Sequence, residues 1–128
     1  MAGITVNTLK AMKEAGEKFC CITAYDATFA RLIAEAGAET MLVGDSLGMV
    51  LQGHDSTIPV SIDHMAYHTE CVCRAEPDSL VIADMPFMSY TTSEQTLANA
   101  TRLMQSGAQM VKMEGGTWLS DSISMLVE

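Results

Sequence analysis

Short apolar runs alternate with amphipathic stretches along the whole chain. Runs at residues 19–24, 40–43, 80–83 and 109–113 are apolar without a polar face, which is typical of strands buried on both sides. Stretches at residues 5–15, 26–36, 61–74, 92–106 and from about 118 repeat apolar residues at helical spacing, and glycines stand near several of their ends. The pattern therefore predicts a helix followed by four strand–helix units.

This order predicts the fold class. Buried strands that alternate with helices indicate an α/β protein with a parallel sheet covered by helices. Four such units are half of an eight-stranded (β/α)₈ barrel. We expect residues 1–128 to form a single domain that corresponds to the N-terminal half of such a barrel. The inner faces of Met41, Leu80 and Ile82 are expected to lack an opposing half.

Three of the predicted strands end on an acidic residue. Asp45, Asp84 and Glu114 follow the second, third and fourth strands, and the carboxyl ends of strands are where ligands bind in this class of fold. Carboxylate oxygens suit Mg²⁺ better than zinc. Lys112 lies on the same side of its strand as Glu114, where it could bind an anion or act as a counter-ion to Glu114. The alternative is that each acid merely caps the helix that follows it.

The histidines are weaker candidates. His54 lies in the long loop 44–60 and could either close over a ligand or organise the loop through hydrogen bonds. His64 and His68 are four residues apart on a predicted helix, a spacing that can chelate a metal, but the sequence lacks the HExxH pattern. Tyr67 and Cys71 on the same helix look like packing residues, so we do not expect this pair to form a metal site.

Composition narrows the class of protein. The chain is 48% hydrophobic and 18% charged, as globular proteins are. Its net charge of −9 argues against nucleic acid or an anionic membrane surface as a partner, and no apolar run approaches the length of a membrane span. The N-terminus is unlike a targeting segment. The cysteines at 20, 21, 71 and 73 match neither zinc nor redox spacing, which fits reduced thiols in a cytoplasmic protein.

Five segments together resemble a known family. They read ITAYD at 22–26, GDSLGM at 44–49, QGHDST at 52–57, ADMPF at 83–87 and VKMEGG at 111–116. The sequence is similar to ketopantoate hydroxymethyltransferases, also called 3-methyl-2-oxobutanoate hydroxymethyltransferases, which serve pantothenate and coenzyme A synthesis. The similarity covers essentially the whole chain, and the pair GDSLGM and QGHDST is its most specific part.

The resemblance implies a chemistry and a set of residues. Asp45, Asp84 and Glu114 would hold Mg²⁺, while Asp45, Ser46, Asp84 and Lys112 would bind the substrate, 3-methyl-2-oxobutanoate. An enolate of this keto acid would attack the one-carbon unit of 5,10-methylenetetrahydrofolate and give ketopantoate. The family's general base is a glutamate of the second half of the barrel, which would lie beyond Glu128.

The length departs from the family, because (β/α)₈ barrels usually have about 250 residues. We therefore expect a truncated or split form that is inactive alone. Its open sheet edges predict a homo-oligomer, pairing with a second-half polypeptide, or marginal folding. Two other functions stay open: a Mg²⁺-dependent 2-oxo acid enzyme similar to isocitrate lyase and phosphoenolpyruvate mutase, and a non-catalytic half-barrel that serves assembly.

Overall fold

A computed structural model describes residues 3–75 and 77–128. The predicted order of elements is confirmed, with one additional short helix. The helices are α1 (Val6–Glu14), α2 (Ala27–Glu35), α3 (Leu47–Val50), α4 (Ile62–Cys73), α5 (Ser93–Gln105) and α6 (Ser120–Val127), the last preceded by a 3₁₀ turn (Thr117–Leu119). The strands are β1 (Cys21–Thr23), β2 (Thr40–Val43), β3 (Leu80–Asp84) and β4 (Met110–Lys112).

The four strands form one parallel sheet in the order β1-β2-β3-β4. β1 and β4 are therefore its edges, and both are shorter than the runs at 19–24 and 109–113 predicted. The register places Met41 opposite Val81 and Ile82 opposite Met110. Because side chains alternate along a strand, each register pair shares one face of the sheet.

One face of the sheet carries the main core. Met41, Val43, Val81 and Ala83 are buried there against helices, with Val111 packed at the edge. The expectation that Met41 faces an uncovered inner side was wrong, because the alternation in register places it on the helix-covered face. On the opposite face Leu80 is also fully buried, which contradicts the expectation for it.

The middle of that opposite face is less completely covered. Leu42, Ile82 and Met110 are half-buried there, although Thr40 and Leu80, which lie earlier on their strands, are buried. The expectation of an uncovered inner face therefore applies to Ile82 in part. Asp84, the last residue of β3 on this face, is buried again.

Local sequence explains where the helices begin. Asp26, Ser61 and Thr92 each accept a hydrogen bond from a backbone N–H three residues later, at the start of α2, α4 and α5. The sequence TSEQ at 92–95 predicts a capping box. Only one half of it forms, because the Gln95 side chain accepts from the Thr91 N–H and not from the Thr92 N–H. These caps fix the loop directions that lead into and out of the sheet.

The apolar pattern of α2 was interpreted too broadly. Ala30 is buried and Ile33 is half-buried, but Phe29 and Leu32 are 61% and 54% exposed. α2 packs on α4 along one narrow stripe, so the rest of its apolar surface points outward. The sequence EPDS at 76–79 predicts a turn after the third predicted helix, and its first residue, Glu76, lies outside the described residues.

Candidate active site at the carboxyl ends of the strands

The strand-end acids converge as the sequence predicts. Asp45 follows β2 after one glycine, Asp84 is the last residue of β3, and Glu114 lies two residues after β4. All three face one pocket of about 160 Å³. Its lining residues are Asp45, Thr57, Asp84, Met85, Phe87, Tyr90, Lys112 and Glu114.

Asp84 is the centre of the polar network. Its carboxylate accepts a hydrogen bond from the Lys112 ammonium at 2.6 Å and another from the Asp45 backbone N–H at 3.1 Å. The side chain is 7% exposed, so both donors are needed to offset the cost of burying its charge. Asp84 and Lys112 are register partners on β3 and β4, which explains the short contact between them.

Lys112 bridges two acids. Its Nζ also lies 2.9 Å from Glu114 Oε1, whose side chain is 78% exposed. Partial burial disfavours the charged lysine, but the hydrogen bonds to Asp84 and Glu114 outweigh burial and raise the pKa of Lys112. The same hydrogen bond and the charge of Lys112 hold the pKa of Glu114 below its ordinary value. Lys112 is therefore a counter-ion to Glu114, which was one of its two predicted roles, and it pairs still more closely with Asp84.

Asp45 is the least compensated acid of the three. Burial first, and the charge of Asp84 next, raise its pKa, while Lys112 and a hydrogen bond with Thr57 act in the opposite direction. A carboxylate whose ionisation is opposed by neighbouring carboxylates is stabilised when a cation arrives. This favours a cation site beside Asp45.

The donor set fits Mg²⁺ by its chemistry, because carboxylate oxygens are the hard ligands that this ion prefers. In the arrangement seen here, the Lys112 ammonium lies between Asp84 and Glu114. Within residues 3–75 and 77–128, no three acids, cysteines or histidines are drawn together tightly enough to enclose a metal ion. Ligation by all three acids therefore stays a prediction.

Ser46 is not part of the pocket lining, but it directly follows Asp45, which is. Its hydroxyl is 3.1 Å from the Tyr25 hydroxyl, and the Tyr25 carbonyl oxygen is 2.8 Å from His68 Nδ1. A Cβ at Gly44 would lie 3.2 Å from Ser46 Oγ and 3.6 Å from Asp84 Oδ2. Glycine at 44 therefore keeps space open between two of the predicted site residues.

Some site residues were not singled out from the sequence. Tyr25 lies two residues after β1, so the strand-end rule that found the acids would have found it if applied to tyrosine. Thr57 belongs to the long loop 44–60, and only the length of this loop and its QGHDST segment indicated a function there. The Tyr90 hydroxyl donates to the Glu114 carbonyl at 3.1 Å and its ring stacks on Trp118, contacts that no local pattern indicates.

The histidines have other positions. His54 is exposed and its backbone N–H donates to the Gly48 carbonyl, so it is outside the pocket lining. His64 Nδ1 accepts from the Ser61 N–H and completes a capping box for α4. His68 contacts the Tyr25 carbonyl. The two histidines of α4 thus serve separate structural contacts.

The fold and the site together define an α/β protein of the (β/α)₈ type, with an acidic pocket at the carboxyl ends of its strands. Solved structures support this class. The chain is similar to a phosphonopyruvate hydrolase, described in complex with oxalate and Mg²⁺, at a TM-score of 0.71 and 16% identity over 86% of this chain and 38% of that one. For an oxaloacetate acetylhydrolase the TM-score is 0.66, with 17% identity over 84% and 39%. These similarities concern the fold.

Sequence comparison identifies the family. The family model for ketopantoate hydroxymethyltransferase matches residues 3–128, and the chain belongs to this family. It is 62% identical over its full length to a 3-methyl-2-oxobutanoate hydroxymethyltransferase of Colwellia psychrerythraea and 59% identical to one of Shewanella halifaxensis. The chain spans about half of the length of these curated relatives, 48% in both cases. In the described part of the chain, no helix is long and apolar enough to cross a membrane.

Proposed function

We propose that these 128 residues form the metal- and keto-acid-binding half of the active site of a 3-methyl-2-oxobutanoate hydroxymethyltransferase. The whole enzyme transfers a hydroxymethyl group from 5,10-methylenetetrahydrofolate to 3-methyl-2-oxobutanoate and yields ketopantoate. The observation that carries the proposal is the pocket in which Lys112 joins the three strand-end acids. Membership of the family supports the choice of reaction.

The pocket suits a small anionic substrate. Its volume of about 160 Å³ is below the roughly 300–1,000 Å³ of typical drug-sized ligand sites, so it matches a keto acid of a few heavy atoms. The Lys112 ammonium and the Ser46 hydroxyl are the donors available for the carboxylate and keto oxygens. Phe87 and Met85 supply apolar surface for the branched end of the substrate. The folate co-substrate is too large for this pocket and would bind against it from outside.

The acids have a different task. Asp45, Asp84 and Glu114 would hold Mg²⁺, which when bound supplies a Lewis acid that disperses the charge formed as the C3 proton leaves. The buried Asp84 fixes the site between β2, β3 and β4 through its contacts with the Asp45 N–H and Lys112. A general base from the second half of the barrel would take the C3 proton, and C3 would form a bond to the methylene carbon of the folate. The bond between that carbon and the folate nitrogen would then break, with water supplying the hydroxyl group of ketopantoate and the proton of the released tetrahydrofolate.

The experiment uses a complete barrel in which these residues are followed by the second half of the Colwellia relative. Titration calorimetry should show 3-methyl-2-oxobutanoate binding that depends on Mg²⁺. Asp84→Ala should abolish the Mg²⁺-dependent binding of the keto acid. Lys112→Ala should weaken keto-acid binding by about 1.5–3 kcal/mol while Mg²⁺ still binds. Unchanged Mg²⁺ and keto-acid affinities in Asp84→Ala would disprove the assignment.

The chain by itself is expected to lack turnover. General-base catalysis typically contributes about 10²–10⁴-fold, and the three acids of the pocket are assigned to the metal. The edges β1 and β4 also need partners, which a second half or another copy would supply. An activity assay with sedimentation tests both points, since a stable monomer with the rate of a complete barrel would contradict them. We also propose that the complete enzyme is a cytoplasmic protein and that it forms a homo-oligomer.

A second candidate is Mg²⁺-dependent cleavage or rearrangement of a 2-oxo acid, favoured by the fold that the chain shares with phosphonopyruvate hydrolase. The QGHDST loop and the family match argue for hydroxymethyl transfer instead. Product analysis decides between them, because transfer requires methylenetetrahydrofolate and cleavage does not. A half-barrel used only for assembly would bind neither Mg²⁺ nor keto acid.

A further inference from the structure

We propose that Tyr25 and His68 are positioning residues that hold the Ser46 hydroxyl toward the keto-acid pocket. The inference rests on the proposed function and extends it to two residues outside the pocket lining. Two contacts carry it: Tyr25 Oη to Ser46 Oγ at 3.1 Å, and His68 Nδ1 to the Tyr25 carbonyl oxygen at 2.8 Å. They connect three segments that are far apart in sequence, namely the end of β1, the loop after β2 and helix α4.

The Tyr25 backbone is not held by the sheet. β1 is a three-residue edge strand, and its last ladder contact to β2 is the Ala24 N–H donating to the Leu42 carbonyl at 3.0 Å. Tyr25 follows immediately, and Asp26 already begins the cap of α2. The Tyr25 backbone thus lies between two elements, where the sheet ladder no longer holds its carbonyl.

Helix α4 provides that support. Its residues Met65, Thr69 and Val72 are buried in the core, so the backbone at His68 is well fixed. The His68 ring meets the edge of the Tyr67 ring at a centroid distance of 5.2 Å. Since a carbonyl oxygen can only accept, the contact requires the proton on Nδ1. His68 therefore needs no positive charge to act.

The contact with Tyr25 orients the Ser46 hydroxyl. A serine hydroxyl rotates freely unless a partner fixes it. The 3.1 Å contact allows either hydroxyl to donate, and an anionic ligand selects the arrangement in which Tyr25 donates to Ser46 Oγ and the Ser46 proton points to the ligand. Because Asp45 directly precedes Ser46 and the Asp45 N–H donates to Asp84, the backbone on the other side of Ser46 is held as well. The hydroxyl is thus oriented before the ligand arrives, which lowers the entropic cost of binding.

The test is a double-mutant cycle on the complete barrel described above, with 3-methyl-2-oxobutanoate and saturating Mg²⁺ as the probe. Tyr25→Phe and Ser46→Ala should each weaken binding by about 2- to 12-fold, the range for one hydrogen bond. The double variant should bind no more weakly than Ser46→Ala alone. Tyr67→Phe removes an exposed tyrosine hydroxyl from α4 and is the matched control, with unchanged affinity expected.

His68 is tested by loss and rescue. His68→Phe keeps a ring but removes the donor, and it should weaken binding about as much as Tyr25→Phe. His68→Asn can present an amide N–H near the Nδ1 position, and it should restore the affinity to within about 2-fold. In the Ser46→Ala background, His68→Phe should have no further effect. A role confined to general stability would lower the melting temperature without this selective dependence on Ser46.

Multiplicative effects of Tyr25→Phe and Ser46→Ala would overturn the proposal, as would unchanged affinity in His68→Phe. Absence of keto-acid binding in the parent protein would refute the proposed function instead. In that case the parent, Tyr25→Phe, Ser46→Ala and their double variant are compared by thermal unfolding, where the effects of the two hydroxyl deletions should still be non-additive. Additive melting temperatures would then refute the positioning contact on its own.

Discussion

The central strands β2 and β3 differ from the edge strands β1 and β4 in burial, and the acid at the end of β4 is presented differently from the acid at the end of β3. β2 and β3 are buried along nearly their whole length, and Asp84 at the end of β3 is 7% exposed and paired. β1 is exposed throughout and β4 is half-buried, and Glu114 beyond β4 is 78% exposed. The central strands therefore fix the site, while the edge contributes a carboxylate that is still open to solvent. Four predictions test this difference.

The largest contrast should appear in the strands themselves. Met41 in β2 is fully buried, so Met41→Ala should lower the free energy of unfolding by about 2–5 kcal/mol through lost contacts and a cavity. Ile22 in β1 is 41% exposed, so Ile22→Ala should cost less than about 1.5 kcal/mol, since part of its surface is already hydrated. Urea unfolding of the two variants gives the comparison. Equal losses would mean that β1 is covered in solution.

The next effect concerns the link between the central and edge strands. Lys112→Met keeps the aliphatic stem but leaves the buried Asp84 without its ammonium partner, which should cost about 1–3 kcal/mol. Arg74→Met is the control, because its ion pair with Glu70 is an exposed i,i+4 pair worth about 0.5 kcal/mol or less. Unfolding midpoints at pH 7 measure both. A Lys112 effect as small as that of Arg74 would show that Asp84 needs no counter-ion.

A smaller effect, with the opposite sign, is expected at Asp45. Its raised pKa means that the folded protein disfavours the charged form, so Asp45→Asn should stabilise at pH 7 by up to about 1 kcal/mol. The gain should shrink as the pH falls through the raised pKa and disappear below the ordinary value of 3.8, where the wild-type carboxyl is protonated in both states. Thermal unfolding from pH 3 to 7 checks this, with Asp55→Asn in the adjacent loop as control. Destabilisation at pH 7 would contradict the electrostatic account.

The smallest effect should be that of Glu114→Gln on the exposed edge. The lowered pKa of Glu114 means that its contact with Lys112 stabilises the fold above the ordinary value of 4.5 and is lost as the pH falls through the lowered pKa. The variant should melt slightly below the wild type at pH 7 and together with it in acid. Glu17→Gln, at an exposed position after α1, should show no such trend. A gap that widens in acid would reverse the assignment.

Features that depend on neighbours in sequence were predicted well. Asp26, Ser61 and Thr92 were each placed at a helix start, because an N-cap needs only a side chain and the N–H groups of the next turn. The end of β2 was also placed correctly, since an apolar run meets Gly44 and Asp45 there. From these ends alone, the three acids could be assigned to one edge of the sheet.

Features that depend on tertiary contacts were missed. Helix α3 lies inside the segment 44–60, which the sequence predicts to be a loop. In this helix a Cβ on Gly48 would clash with Val60 Cγ2, so the position needs glycine because of a residue twelve positions away that contacts it only in the folded chain. The Asp84–Lys112 pair follows from the register of β3 and β4, and single strands carry no information on register. The misplaced face of Met41 has the same origin.

Lys112 occupies the carboxylate oxygens that a metal ion would need. Because its ammonium is covalently tethered beside Asp84 and Glu114, it is present at a high effective concentration. If the acids hold Mg²⁺ as proposed, the ion would have to displace the ammonium from these oxygens, and the ammonium would then be free to pair with an incoming carboxylate. One side chain would in that case couple metal binding to keto-acid binding, and without the ion it neutralises part of the acidic charge of the pocket.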